Sequence, residues 1–116
     1  MKKKRILMVC EAFGGGVFTY VSQLCNDMVD EFDVYLAYSL RPQTPKNYTD
    51  FLDQRVHLIE MENVGVKGLT NLKSDIAAIK ELRQIEKDVQ PDVIHLHSSV
   101  AGGLGRLAYK GKNNTV

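Results

Sequence analysis

The chain has 116 residues, 44% of them apolar and 25% charged, with a formal net charge of +1 at pH 7. This length and balance are typical of one soluble globular domain. They exclude the strongly basic surface that a nucleic-acid partner would require, so we expect no nucleic-acid binding.

The start of the chain carries no targeting signal that we can recognise. Basic residues cluster only in Met1–Arg5, which we interpret as a solubilising tail. The apolar run Ile6–Cys10 is shorter than the roughly 7–15 residues of a signal peptide's apolar region, and no run approaches the roughly 20 of a membrane span. Cys10 and Cys25 lack metal or redox spacing, so we expect buried free thiols in a cytoplasmic protein.

The first third of the chain predicts a strand, a glycine turn, a helix and a second strand. Arg5–Cys10 is a continuous apolar run, and the glycine turn Gly14–Gly16 follows it. The next apolar residues have helical spacing: Val17, Tyr20, Val21, Leu24 and Met28. Phe32–Asp33 marks a turn, and Val34–Tyr38 is the second buried strand. A right-handed βαβ unit with parallel strands is therefore expected.

The middle of the chain predicts a long loop, a short strand and a long helix. Arg41–Gln54 holds two prolines and several charges, which favours a surface connection with one helical turn around Asp50–Leu52. In Arg55–Glu60 polar and apolar residues largely alternate, which predicts a third strand near a sheet edge. The apolar stripe of the second helix is Leu72, Ile76, Ile79, Leu82, Ile85 and Val89. Asn71 is its predicted N-cap, and Pro91 ends it.

The stretch after this helix is the leading candidate for a functional site. Asp92–Leu96 has the pattern of a strand buried on both faces of a parallel sheet, and the polar residues His97–Ser99 follow it. In an open α/β sheet, the carboxyl ends of the strands face the crevice where ligands bind. Thr115–Val116 resembles the start of a fifth strand, so we expect a fragment of a larger domain. The fold class predicted is α/β, a Rossmann-like parallel sheet flanked by helices.

The glycine turn has two interpretations. Gly14, Gly15 and Gly16 open a helix, where backbone N–H groups can approach an anionic ligand closely. A tight strand-to-helix turn without a ligand explains them as well. Val17–Thr19 replaces the third glycine of a dinucleotide fingerprint, and Ser39 stands where that site needs an acidic residue. A dinucleotide site is therefore disfavoured.

Two histidines belong to the fourth strand. His95 and His97 lie two residues apart and should point the same way, but no further ligand cluster accompanies them, so metal binding is disfavoured. We expect His95 to be partly structural and His97 to face the crevice as the catalytic residue. A hydrogen-bonded structural role for His97 is the alternative.

Three polar residues complete the candidate set. Ser98 and Ser99 occupy the turn before a helix predicted over Val100–Tyr109, and Ser99 is expected to cap that helix. A nucleophilic serine is disfavoured because the G-x-S-x-G elbow is missing. Glu11, directly after the first strand, is expected to be exposed in the crevice and to orient a substrate hydroxyl. A solvated loop carboxylate is the alternative for Glu11.

These residues suggest a family. The chain resembles the amino-terminal half of family 4 glycosyltransferases, the retaining enzymes of GT-B fold that build bacterial capsule, lipopolysaccharide and exopolysaccharide. The resemblance covers the strand Lys4–Val9, the turn Gly14–Gly16 and Ser39 after the second strand. Its most specific part is Pro91–Arg106, PDVIHLHSSVAGGLGR, which is similar to the PDIIHLHSSKAGxLGR signature of capsule-type members.

The resemblance implies two Rossmann-like domains, with residues 1–116 as part of the amino-terminal, acceptor-side one. The nucleotide-sugar donor would be held mainly by a carboxyl-terminal domain that the sequence lacks, together with that domain's Glu-x7-Glu motif. Gly15 and Gly16 would approach the donor diphosphate or the acceptor, and His97 would lie near the transferred sugar. The transfer would need no metal or other cofactor. We expect this fragment to be inactive alone.

The implied partners are a nucleotide sugar, a saccharide or lipid-linked acceptor and the missing domain. Attachment to the inner face of the membrane stays open. The alternative function is a stand-alone Rossmann-like binding module that pairs with a partner through an exposed strand. A sugar-nucleotide epimerase fragment is a weaker alternative, because its acidic catalytic groups are not found.

Overall fold

The computed structural model describes residues 3–11, 13–63 and 72–97, with the backbone alone for residues 72–75. In chain order the elements are β1 (Lys4–Cys10), α1 (Gly15–Met28), β2 (Phe32–Tyr38), a 3-10 helix (Tyr48–Phe51), β3 (His57–Glu60), α2 (Leu72–Val89) and β4 (Val93–Leu96). The predicted α/β class and the order of its elements are confirmed over these residues.

The four strands form one parallel sheet in the order β3-β2-β1-β4. β1 pairs with β2 on one side and with β4 on the other. The chain adds β2 and β3 on the first side of β1 and then crosses to add β4 on the second side, so the order of strands reverses next to β1. Such a reversal is the topological switch point at which doubly wound sheets bind ligands. The fold thus places the ends of β1 and β4 at the expected crevice.

In the part of the chain that the structure describes, one helix packs on each face of the sheet, because alternate residues of β1 point to opposite sides. On one face Met8 and Cys10 pack with Val21 of α1, and on the other Leu7 packs with Leu82 of α2. All five side chains are fully buried. This two-sided burial explains why β1 is a continuous apolar run rather than an alternating one.

Two basic residues near the start of the chain cap the helices. The Nζ atom of Lys3 donates to the carbonyl of Val29, which follows α1, at 2.8 Å. Nη1 of Arg5 donates to the carbonyl of Val89 at the end of α2, also at 2.8 Å. Positive charge at a helix C-terminus is favourable, so the interpretation of this segment as a merely solubilising tail is wrong for Lys3 and Arg5.

Neither cysteine forms a disulfide, and both are buried, as predicted. Burial, with a smaller contribution from Cys10, raises the pKa of the Cys25 thiol to about 12. The apolar environment therefore keeps this thiol protonated and weakly nucleophilic at neutral pH.

The helical stripe predicted for α1 is partly wrong. Val17 and Tyr20 are exposed, with 39% and 61% of their surface accessible, whereas Phe18 and Cys25 join Val21 in the core. The predicted stripe and the observed one, Phe18, Val21 and Cys25, both have helical spacing. Packing against the strands determines that the second is buried. Tyr20, which stays outside the core, contacts His97 at the end of β4.

The strand boundaries also differ from the prediction. Phe32–Asp33, predicted as a turn, begins β2, and Arg55–Val56 precedes β3 rather than belonging to it. The helical turn predicted at Asp50–Leu52 is the 3-10 helix, which begins two residues earlier, at Tyr48. In β4 only Ile94 is fully buried, so the expected burial on both faces is wrong for the other residues of that strand. Asn71 and the predicted second turn-and-helix segment 98–109 lie outside the described residues, as does Thr115–Val116.

Candidate functional site

Three chain segments meet at the carboxyl edge of the sheet. Glu11 follows β1, Ser39 follows β2 and His97 follows β4. The backbone N–H of Ser39 donates to the carbonyl of Cys10 at 3.2 Å, and that of His97 donates to the carbonyl of Val9 at 2.9 Å. The ladder therefore extends past the strand ends and fixes these three polar residues along one edge.

The glycine turn builds the start of α1 beside this edge. Gly14 is the N-cap, and Gly15 has φ +57°, in the left-handed region that favours glycine. A Cβ atom at Gly14 would lie 3.0 Å from the Cβ of Gln43, so close packing of the two loops also requires glycine there. Gly16 has neither restriction, since nothing described lies within 4 Å of its Cβ position. Two of the three glycines thus have a structural reason, and Gly16 has none.

The segment after β2 folds over the glycine turn. The N–H of Arg41 donates to Oγ1 of Thr44 at 2.9 Å, and the Thr44 hydroxyl donates to the carbonyl of Phe13. The N–H of Thr44 closes a turn by donating to the carbonyl of Arg41 at 2.9 Å. These bonds fix the backbone of Arg41 beside the glycine turn. Arg41, Gly14 and Gly15 line one hollow of about 480 Å³.

Glu11 is buried, so the expectation that it is exposed in the crevice is wrong. Only 4% of its surface is accessible, and its Oε2 accepts a hydrogen bond from Nη2 of Arg41 at 2.9 Å. The solvated loop carboxylate suggested as the alternative is wrong for the same reason. A buried carboxylate needs a paired charge, and Arg41 supplies it. Glu11 thus contacts the crevice through Arg41 rather than directly.

His97 sits at the tip of β4 between two aromatic rings. Its ring centroid lies 4.0 Å from that of His95 and 6.3 Å from that of Tyr20, an exposed residue of α1. The prediction that the two histidines point the same way is confirmed. Burial, reinforced by the neighbouring His95, lowers the pKa of His97 from 6.5 to about 4. His97 is consequently a neutral imidazole at pH 7, and its Nε2 has no hydrogen-bond partner among the described residues.

The family model for Glycosyltransferase Family 4 matches residues 14–116, which is most of the chain. The chain belongs to glycosyltransferase family 4. No curated protein matches it at a significant level.

A solved structure shows the same fold. UGT2 of Phytolacca americana, complexed with UDP-2fluoro-glucose and pterostilbene, is similar to this family 4 chain with a TM-score of 0.56 and 16% sequence identity. The match covers 90% of this chain and 29% of that chain. The family 4 chain thus spans less than a third of the length of that protein. The similarity supports the Rossmann-like, GT-B type of architecture predicted from the sequence.

The structure brings together most of the predicted site of this family 4 domain. Gly14, Gly15 and Gly16 open α1 beside the end of β1, and His97 lies at the end of the neighbouring β4. Ser98 and Ser99 lie outside the described residues. The roles assigned to all of these residues stay predictions.

Arg41 and Tyr20 were missed by the sequence reasoning. Arg41 lies three residues beyond β2, the strand adjacent to β1, so the rule that parallel strands end at one edge could have identified it. It was assigned instead to a long surface connection. Tyr20 was assigned to the core, and only its exposure and its contact with His97 place it at the site.

Two further properties concern the described residues alone. In 3–11, 13–63 and 72–97, no group of three or more His, Cys, Asp or Glu side chains is arranged to hold a metal ion. Neither helix in these ranges has the length and apolar content that crossing a bilayer requires.

Proposed function

We propose that this family 4 domain is the acceptor-side half of a nucleotide-sugar-dependent glycosyltransferase. A second, carboxyl-terminal domain of the parent polypeptide would hold most of the donor. The observation that carries the proposal is the coincidence of family membership with a polar cluster at the switch point between β1 and β4. Nothing in the fold alone requires polar side chains there, whereas a ligand crevice does.

The start of α1 and Arg41 form the anion-facing part of this site. A helix N-terminus carries partial positive charge, and the first turn of α1 contains no acidic residue to neutralise it. Arg41 uses Nη2 for Glu11 and keeps other N–H donors on a side chain that is 32% exposed. Preorganised donors of this kind stabilise charge that develops on a leaving diphosphate. Gly16, which no local packing explains, would let the diphosphate approach the backbone.

His97 has a different role because it is neutral. An uncharged imidazole can donate one hydrogen bond and accept another, which suits the hydroxyl groups of the transferred sugar. It does not contribute the positive charge that the diphosphate requires, and Arg41 does. His97 is the residue that we assign to the transferred sugar, with Ser98 and Ser99 as further substrate-binding residues beside it.

The finer features of the reaction follow the family resemblance. The transfer proceeds with retention and without a metal or other cofactor, and the acceptor is a growing cell-surface polysaccharide or a lipid-linked saccharide of a bacterium. The protein works in the cytoplasm, at the inner face of the membrane when the acceptor is lipid-linked. This domain without its partner domain transfers no sugar.

The test measures nucleotide release from UDP-glucose and related donors by the two-domain polypeptide, with the present domain as the inactive comparison. His97→Ala should lower kcat by at least about 100-fold while the unfolding midpoint changes little. His57→Ala is the matched control, because His57 is an exposed histidine of β3 that pairs with Asp33 of β2. Unchanged turnover in His97→Ala would remove His97 from the site. A two-domain polypeptide that uses no sugar nucleotide would favour the stand-alone binding module.

A further inference from the structure

A groove runs along α1, between this helix and the segment that joins β2 to β3. One wall is a stripe of α1 with spacings of three and four residues, from Gly15 through Phe18 and Ser22 to Asn26. The facing wall contains Pro45 and Phe51, from the segment between β2 and β3. The cavity volume is about 430 Å³, within the range of small-molecule sites. We call this cavity the α1 groove.

The hydroxyl of Ser22 lacks a hydrogen-bond partner among the described residues. Ser22 is only 4% exposed, and its Oγ atom is fully buried. A serine inside a helix commonly donates to the carbonyl four residues earlier, and a buried hydroxyl without a partner costs about 1–3 kcal/mol. Since Ser22 lines the α1 groove, a ligand hydroxyl that enters the groove and displaces the atoms covering Oγ would supply the missing hydrogen bond.

The other lining groups are neutral and suit one class of ligand. No Asp, Glu, Lys or Arg is among the described residues that line the α1 groove, which disfavours phosphate and carboxylate ligands. Gln23 and Gln43 offer exposed amides that both donate and accept. Phe51 is 51% exposed, with its ring held against that of Phe18 at 5.6 Å. An exposed ring beside amides and a hydroxyl matches a sugar, which has one apolar face and a hydroxylated rim.

The α1 groove is continuous with the proposed transfer site. Gly15 and Gln43 line both the groove and the hollow that contains Arg41. A chain of sugar units could therefore extend from the edge of the sheet along α1. We propose that the α1 groove is a saccharide subsite, which binds neutral sugar units of the acceptor beyond the unit that receives the transferred sugar. This inference rests on the proposed function in that the acceptor is a saccharide.

The test is donor-free binding of the 116-residue chain to an array of neutral and acidic oligosaccharides. Neutral oligosaccharides should be retained, and Phe51→Ala and Gln23→Ala should each weaken retention by about fivefold to tenfold. The matched controls are Leu58→Ala, an exposed apolar residue on β3, and Gln84→Ala, an exposed glutamine on α2, and both should bind as the parent chain does. Ser22→Ala should also weaken retention without loss of thermal stability.

Several outcomes would overturn the subsite. The first two are retention of acidic oligosaccharides only and no retention of any oligosaccharide. A third is a loss of retention in Leu58→Ala and Gln84→Ala equal to that in the groove variants. A fourth is displacement of bound sugar by decanol, which would assign the groove to an alkyl chain. The two proposals fail separately. Arg41→Met and His97→Ala should abolish transfer in the two-domain polypeptide and leave array binding intact, whereas the groove variants should change array binding without any donor present.

Discussion

Nη2 of Arg41 lies 2.9 Å from Oε2 of Glu11, and this ion pair joins the chain after β1 to the chain after β2. The Glu11 side chain is 5% exposed and the Arg41 side chain 32%, so the pair lies at the boundary between the core and the crevice. The same Arg41 side chain that compensates the buried charge of Glu11 also lines the hollow at the start of α1.

The first prediction concerns this pair. Arg41→Met leaves a buried carboxylate without its partner, and we expect the free energy of unfolding to fall by about 2–3 kcal/mol, less than for a fully buried pair because Arg41 is partly exposed. Denaturant unfolding at neutral pH measures it. Glu11→Gln combined with Arg41→Met should recover part of the loss, since the double variant contains no unpaired buried charge.

Arg55→Met is the control for loss of a guanidinium. Arg55 bonds to Asp30 and Asp53, but these groups lie at the surface, where ion pairs contribute little. Its stability change should be clearly smaller than that of Arg41→Met. Equal losses in the two variants would show that the Glu11 pair has no special importance.

The sequence predicted the scaffold well because local pattern and topology determine it. The apolar run of β1 and the long stripe of α2 identify their elements, and the rule for parallel strands places their ends at one edge. The burial of Glu11 could not be predicted in this way. It depends on Arg41, which is 30 residues away in sequence and is brought close only by the turn that Thr44 fixes.

The faces of α1 were ambiguous for a different physical reason. Val17, Phe18, Tyr20 and Val21 are all apolar or aromatic, so two overlapping stripes have helical spacing. Packing against β1 and β2 buries Phe18 and Val21 and leaves Tyr20 beside His97. Periodicity identifies a helix, but only tertiary contacts choose between two apolar faces of it.

The glycine turn gives a prediction that separates packing from ligand approach. Gly16→Ala should raise the free energy of unfolding by up to about 1 kcal/mol, because the site is open and glycine is unfavourable in a helix. Gly15→Ala should lower it by about 1–2 kcal/mol, because φ is +57° there. If the backbone at Gly16 approaches the diphosphate, the stabilised variant should nevertheless lose transfer. Full transfer by Gly16→Ala would argue that the turn serves packing alone.

The cysteines provide a prediction that a colorimetric thiol assay can check. Cys10 and Cys25 are buried, and the pKa of Cys25 is raised to about 12, so neither thiol should react appreciably with Ellman's reagent in the folded protein. In guanidinium chloride both should react at once. Rapid reaction of one thiol without denaturant would contradict the burial of that residue.

Two polar residues of α1 should respond oppositely to truncation. The Nδ2 atom of Asn26 donates to the carbonyl of Phe51 at 2.8 Å, and its Oδ1 accepts from the N–H of Asp53 at 2.7 Å. Asn26→Ala should therefore cost about 1–2 kcal/mol by detaching the segment after the 3-10 helix. Ser22→Ala should be neutral or stabilising by up to about 1 kcal/mol, because its hydroxyl has no partner among the described residues. Thermal unfolding of both variants tests this prediction. A large loss of stability in Ser22→Ala would indicate that its hydroxyl makes a hydrogen bond that stabilises the fold.

The last prediction uses the lowered pKa of His97, about 4 against 6.5 in the unfolded chain. Above pH 6.5 the imidazole is neutral in both states, and its contribution to stability is fully present. Between pH 6.5 and 4 the unfolded chain takes up a proton that the folded chain does not, so the free energy of unfolding falls with falling pH. Below about pH 4 both states are protonated and this contribution is lost, at a total cost on the order of 3 kcal/mol.

Unfolding curves of the parent chain and His97→Gln across this window isolate the effect, because the other titrating groups are common to both. The parent should lose stability relative to the variant as the pH falls from 6.5 to 4. NMR titration of the imidazole protons should place the His97 transition near pH 4. If the two proteins lose stability equally as the pH falls, or if the His97 imidazole titrates at pH 6.5 or above, then His97 is solvated and becomes charged more readily than its burial implies. A cationic His97 could then assist Arg41 at the diphosphate, and the division of roles between the two residues would be wrong.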